Sequence, residues 1–243
     1  MLEDNRIRKY YDEYHRQESK YGLPQGFYRQ FLDYLKVEKG RRLLDIGCGR
    51  GQILKEAERK QLFSCGIDIS FEGLEFAKKI IKKSHIVCGN AEYLPYPNNI
   101  FDYIVMLGTL EHFLNPTKGL KEAVRVLSNG GKICIVVPNL YYIKHFWNIW
   151  TKKKTPSTDQ IIEHLKPLKE WESFFRKSGL FIINVLKDNH ILYYIGPKTS
   201  FLKKMIKFII RPFLFLLPLR LSYQFIFICE KSLKENGNIK RKN

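Results

Sequence analysis

From Leu43 to Val137 the chain alternates short apolar runs with stretches in which apolar residues recur every three or four positions. Short apolar runs suit strands buried on both faces, and the longer periodic stretches suit amphipathic helices. The alternation predicts elements at 41–46, 53–60, 62–68, 71–82, 85–88, 101–107, 116–127 and 131–137. Strands separated by helices cannot close as hairpins, so the expected class is α/β, a doubly wound parallel sheet with helices on both faces. Further on, Glu170–Ser178 reads as a helix, with Trp171, Phe174 and Phe175 apolar and Gly179 as its stop. Leu180–Leu186 and Ser222–Cys229 read as two late strands. Residues 1–40 read as helices: Tyr10, Tyr11, Tyr14 and Tyr21 stand among charged residues, and Phe27, Phe31, Leu32 and Leu35 recur at helical spacing.

One stretch breaks the apolar pattern with chemistry. Leu43-Leu44-Asp45-Ile46-Gly47-Cys48-Gly49-Arg50-Gly51-Gln52 runs from a strand through an acidic residue into a glycine at every second position. Beyond the carboxyl end of the first strand of an open α/β sheet lies the crevice where nucleotide-like ligands bind. The spacing is G-x-G-x-G; a dinucleotide fingerprint would need glycine where Gln52 stands, and no G-x-x-x-x-G-K-[ST] phosphate loop occurs. A ligand without phosphate fits better. The second strand, Phe63–Ser70, carries Asp68 at its end, 23 residues after Asp45. A carboxylate at that spacing suits the two hydroxyls of a ribose.

These residues resemble motif I and the acidic second-strand motif of the class I S-adenosylmethionine-dependent methyltransferases. Two further stretches match in order: Cys88-Gly89-Asn90-Ala91-Glu92-Tyr93-Leu94-Pro95 before strand four, and Leu127–Pro138 into strand five. The resemblance covers residues 43–138. It implies a Rossmann-like, seven-stranded sheet whose last strand is antiparallel, and S-adenosylmethionine as cofactor. Carried over residue by residue, Asp45 helps hold the cofactor's amino group, Gly47, Gly49 and Gly51 shape the loop, Asp68 with Ile69 meets the ribose, and Asn90 with Ala91 flanks the adenine. Leu107 lies at the edge of strand four beside the methyl group. Similar chains usually have Asp where this one has Asn90, so a negative charge is missing while a donor is gained; capping a turn is the alternative role for Asn90.

Composition narrows the rest. The 243 residues fit one domain, organised as a helical cap (1–40), a methyltransferase-like domain (41–230) with insertions near 139–166 and 189–221, and a basic tail (231–243). Five scattered cysteines without a C-x-x-C pair argue for a reducing compartment and against structural disulfides or metal. Met1–Arg6 lacks an apolar signal core, so a cytoplasmic location is expected. Net charge is +18, and residues 198–243 hold eleven Lys or Arg against Glu230 and Glu235. Lys144 and Lys152-Lys153-Lys154 form a second basic cluster. Such patches attract phosphate-rich partners.

The first insertion is aromatic and basic (Tyr141, Tyr142, His145, Phe146, Trp147, Trp150), as a substrate lid would be. In the second, Phe201–Arg211 reads as a basic amphipathic helix, followed by Pro212–Leu219 without charge. That run is too short to span a bilayer, but it suits contact with an anionic membrane surface, burial in a dimer interface being the alternative.

Methyl transfer to a hydroxyl needs a base. His112, in Leu107-Gly108-Thr109-Leu110-Glu111-His112, is the first candidate, with ordering of its loop as the alternative role; His145 and His164 follow. The chain lacks the D/N-P-P-Y/F stretch of enzymes that methylate base amines and has no Pro-Cys nucleophile, so a nucleic-acid substrate is disfavoured. The expected reaction is O-methylation of a lipid-linked, glycan or isoprenoid-type acceptor near the membrane. Competing readings are C-methylation of a quinone precursor and a non-catalytic, cofactor-binding membrane adaptor.

Overall fold

The structure, a computed structural model, describes residues 2–17, 25–142, 162–188, 216–235 and 238–240, with Met205. Two helices, α1 (Leu2–Gln17) and α2 (Gln25–Leu35), precede the core. Strands β1 (Arg42–Ile46), β2 (Phe63–Asp68), β3 (His85–Cys88), β4 (Phe101–Leu107) and β5 (Leu127–Pro138) then alternate with α3 (Gln52–Arg59), α4 (Phe71–Lys78) and α5 (Pro116–Val126). Helix α6 (Leu168–Lys177) leads to β6 (Leu180–Asp188) and β7 (Gln224–Lys231). The sheet order is β3-β2-β1-β4-β5-β7-β6. The first five strands are parallel, and β7 lies antiparallel between β5 and β6. The order reverses beside β1, which opens a crevice at the carboxyl ends of β1 and β4.

Side-chain alternation along the strands divides the core in two. On one face Leu44, Ile46, Ile104, Met106, Ile133, Ile135 and Phe227 pack with Leu120, Ala123 and Val126 of α5 and Trp171 and Phe175 of α6. On the other, Leu43, Val105, Cys134, Val136 and Ile228 meet Phe31, Leu32 and Leu35 of α2 and Ile53 and Ala57 of α3. Period two along the strands and 3.6 along the helices thus give three layers. Trp171 fixes α6 on the sheet: its ring stacks on Phe175 at 5.7 Å, and Nε1 donates to the Pro138 carbonyl at 3.1 Å.

The expected elements recur with shifted ends. Helix α4 stops at Lys78, short of the expected residue 82. Glu58 accounts for this, because its carboxylate accepts the backbone N–H groups of Lys82, Lys83 and Ser84 and steers the chain into β3. Strand β5 begins earlier than expected, at Leu127, and Gly179 ends α6 with φ +86°. A short ladder, β8 (Leu233–Glu235) with β9 (Asn238–Lys240), occupies part of the expected tail. Most of both insertions, including His145, Phe146, Trp147, Trp150, both lysine clusters and nearly all of 201–215, lies outside the described residues, as does Tyr21.

Candidate active site

A cavity of about 420 Å³ opens where the sheet order reverses, walled by the loops after β1, β2, β3 and β4 and roofed by α1. Gly47 and Gly49 hold φ at +74° and +46°, in the left-handed region. A Cβ on Gly47 would collide with Thr109, and one on Gly49 would lie 3.0 Å from the His15 ring. The glycines therefore keep loop and cavity open together. Gly51 is not in the cavity wall; it caps the start of α3.

Two buried carboxylates stand at the cavity floor. Asp68 accepts the Gly49 N–H at 2.7 Å and the Ser70 N–H at 2.8 Å, one on each oxygen. Asp45 is 4% exposed. Burial, then the charge of Asp68, pushes its pKa well up; burial also raises that of Asp68, against the bonds from Ser70 and Gly49 and the nearby His15. Among the described wall residues Asp4, Asp45, Asp68 and Glu92 are acidic, none is lysine, and the Arg50 guanidinium lies 3.9 Å over the Phe76 ring. Within a chain of net charge +18, this wall is acidic. It suits a cation and repels phosphate.

His112 stands at the opposite side, in a 3-10 turn (Leu110–His112) after β4. Its Nδ1 lies 2.7 Å from the Ile162 carbonyl. A carbonyl only accepts, so Nδ1 carries the proton and the Nε2 lone pair is basic. Burial lowers the pKa of His112 from 6.5, leaving the ring neutral at pH 7. Nε2 is 3.8 Å from Glu111 Oε1, and the Tyr11 ring is 6.1 Å from the imidazole.

The profile of the methyltransferase domain family matches residues 44–135, which include the cavity loops after β1, β2, β3 and β4 but not the α1 roof. Over those residues the chain carries a methyltransferase domain. It is 35% identical to an uncharacterised protein of Methanocaldococcus jannaschii, over 57% of this chain and 54% of that one. It is 29% identical to the 2-methyl-6-phytyl-1,4-hydroquinone methyltransferase of spinach, over 64% of this chain and 42% of that one. The chain thus spans about half the length of these curated relatives. A chain in the complex between the Haloferax volcanii Trm112 methyltransferase activator and a putative methyltransferase superposes with TM-score 0.72 at 18% identity, covering 95% of this chain and 99% of that one. That likeness concerns the fold.

The cofactor of class I methyltransferases is a sulfonium that also carries an ammonium, and the wall fits it. Two buried carboxylates with raised pKa values gain from a positive ligand, and the open glycine loop leaves room for its backbone-contacting groups. Of the residues expected to bind it, Asp45, Gly47, Gly49, Asp68, Ile69, Asn90, Ala91 and Leu107 all line the cavity. Asn90 also caps a turn, accepting the Glu92 N–H at 2.8 Å, which is the alternative role anticipated for it. His112 lines the cavity; His164 does not, and its Nε2 donates to the Phe113 carbonyl at 3.1 Å. Of the flagged tyrosines, Tyr11 and Tyr14 line the wall, while Tyr10 packs edge-on against Tyr11 at 5.2 Å. Asp4, Ile7, His15 and Thr109 were not foreseen. The spacing 4, 7, 11, 14, 15 along α1 is a helix face that could have revealed the first three.

Proposed function

We propose that the protein O-methylates a hydroxyl on a small acceptor of the lipid-linked, glycan or isoprenoid class, near the membrane. In this reading residues 1–40 cap the domain at 41–230. The carrying observation is His112 at the cavity wall, with Nδ1–H committed to the Ile162 carbonyl. S-adenosylmethionine supplies an electrophilic methyl group. With the cofactor bound, His112 Nε2 would take the proton of an acceptor hydroxyl held at the wall, making its oxygen the nucleophile for that methyl group. Tyr11, Tyr14, Tyr28 and Phe113 give the wall an aromatic lining, which favours an isoprenoid-type acceptor over a sugar. A second reading, C-methylation of a quinone precursor, draws on the similarity to a hydroquinone methyltransferase. The same base would serve it, because a phenolate is nucleophilic at ring carbon too.

Calorimetric titration with S-adenosylhomocysteine, with Asp68→Ala as control, tests the cofactor site. Transfer of a labelled methyl group to prenylated hydroquinones in detergent, with fragmentation of the product, then distinguishes oxygen from carbon. His112→Gln is expected to lower turnover about 100-fold or more while leaving ligand affinity nearly unchanged. Turnover at the parent rate would remove His112 as the base.

A further inference from the structure

The adenine reading of Asn90 leaves a chemical gap. Its Oδ1 accepts the Glu92 N–H, and its Nδ2 donates to Asp4 Oδ1 at 2.9 Å. A purine amino group needs an acceptor; the carbonyl of Asn90 already accepts one backbone N–H, and the carboxylate beside it is the stronger acceptor. Asp4 lines the same cavity from helix α1, 86 residues away in sequence. A carboxylate offers about four lone-pair sites, and the bond from Asn90 takes one of those of Asp4. Ile7, Tyr11, Tyr14 and His15 continue the same helix face along the roof.

The anchoring of α1 points the same way. Asp12 Oδ1 accepts the Ser70 hydroxyl at 2.7 Å and the Glu72 N–H at 3.1 Å, and Arg16 pairs with Glu72 at 2.8 Å. These contacts fix the later turns of α1 to the start of α4. Its first turns are fixed to the far wall through Asp4 and Asn90. The helix thus bridges the cavity from the ribose side to the adenine side.

We propose that Asp4, oriented by Asn90, accepts the hydrogen bond of the adenine amino group, so that α1 itself reads the base. This rests on the cofactor reading above. It moves the acidic acceptor from the sheet edge, where Asn90 stands, to the covering helix. Adenine then ties α1 across the cavity, and a purine with a carbonyl at that position meets a carboxylate that repels it.

The test pairs S-adenosylhomocysteine with S-inosylhomocysteine, whose ring carries a carbonyl in place of the amino group, using the full-length protein and calorimetry. The parent is expected to favour the adenosyl ligand by about tenfold or more, the effect of one hydrogen bond to a charged group. Asp4→Asn, whose amide both donates and accepts, should bring that ratio close to one. Asp12→Ala removes the acceptor of both bonds at the other anchor of α1 and should weaken both ligands alike, preserving the ratio. Urea midpoints near the parent value would confirm that both variants fold. Equal weakening of both ligands by Asp4→Asn would reduce Asp4 to a tether and overturn the proposal. A parent that binds both ligands equally would overturn it too, with the cofactor reading intact. A parent that binds neither would remove the cofactor reading, and this inference with it.

Discussion

Glu111 lies 2% exposed beneath the cavity, and its Oε2 has no hydrogen-bond partner among the described residues. Burial, reinforced by Glu163, pushes its pKa up to about 8 from 4.5, against its own backbone N–H. The folded protein therefore keeps a proton that the unfolded chain releases above pH 4.5. Its contribution to stability falls as pH rises from 4.5 to 8, and the full penalty stands above 8. Tyr11, His112, Glu163 and Tyr223 share this neighbourhood. Glu111→Gln cannot ionise, so its stability relative to the parent should improve by roughly 2–5 kcal/mol between pH 5 and pH 8.5. Urea midpoints at the two pH values measure this, and an unchanged difference would mean that Glu111 is ionised throughout. The Glu111-His112 pair was legible in the sequence, but the tautomer was not. The carbonyl that decides it belongs to Ile162, fifty residues later, within the first insertion.

Helices α1 and α2 show why one part of the fold was easier to read than the other. In α2, Phe31, Leu32 and Leu35 are at most 1% exposed, and their helical spacing is visible in the sequence. In α1 the inward face carries Asp4, Tyr11, Tyr14 and His15, with Ile7 as its buried aliphatic residue. That face is half polar because it meets a cavity and not a core, so hydrophobic periodicity marks it only through its tyrosines. The strands were legible for the opposite reason: β1, β4 and β5 are buried on both faces along Leu43–Ile46, Tyr103–Met106 and Ile133–Pro138, and these stretches are mainly apolar. A helix held by polar contacts around a ligand site should gain stability when the ligand binds. Backbone amides of α1 are expected to exchange at least tenfold more slowly with saturating S-adenosylhomocysteine, while those of α2 stay unchanged. Equal slowing in both helices would point to global stabilisation, and no slowing in α1 would detach it from the site.

Across the whole molecule, charge is segregated. The cavity wall is acidic, while the chain carries +18, half of it within residues 198–243. That segment contributes β7, whose flank Phe225–Cys229 is buried between β5 and β6. Its basic and apolar residues from 198 to 220 directly precede that strand in the sequence. Among the described residues no helix is long and apolar enough to cross a membrane. A surface contact needs less: lysines to attract anionic headgroups, and a few bulky apolar side chains to enter the interface. Each Lys or Arg near an anionic surface contributes about 1 kcal/mol, screened by salt over a Debye length of ~10 Å at 0.1 M. The protein should sediment with vesicles containing anionic lipid and not with neutral ones. Raising salt to about 0.5 M should weaken binding severalfold, because the Debye length falls to roughly half. Replacing Phe213, Leu214, Phe215, Leu216 and Leu217 with serine tests the apolar share separately. If they enter the interface, binding to anionic vesicles falls further at every salt concentration, while calorimetry with S-adenosylhomocysteine stays unchanged. If they pack instead against the sheet or a second subunit, the variant should lose stability or change its mass in solution with its vesicle binding intact. Equal recovery of the parent in the supernatant with and without anionic vesicles would remove the membrane reading, and the acceptor would then have to be sought among soluble molecules.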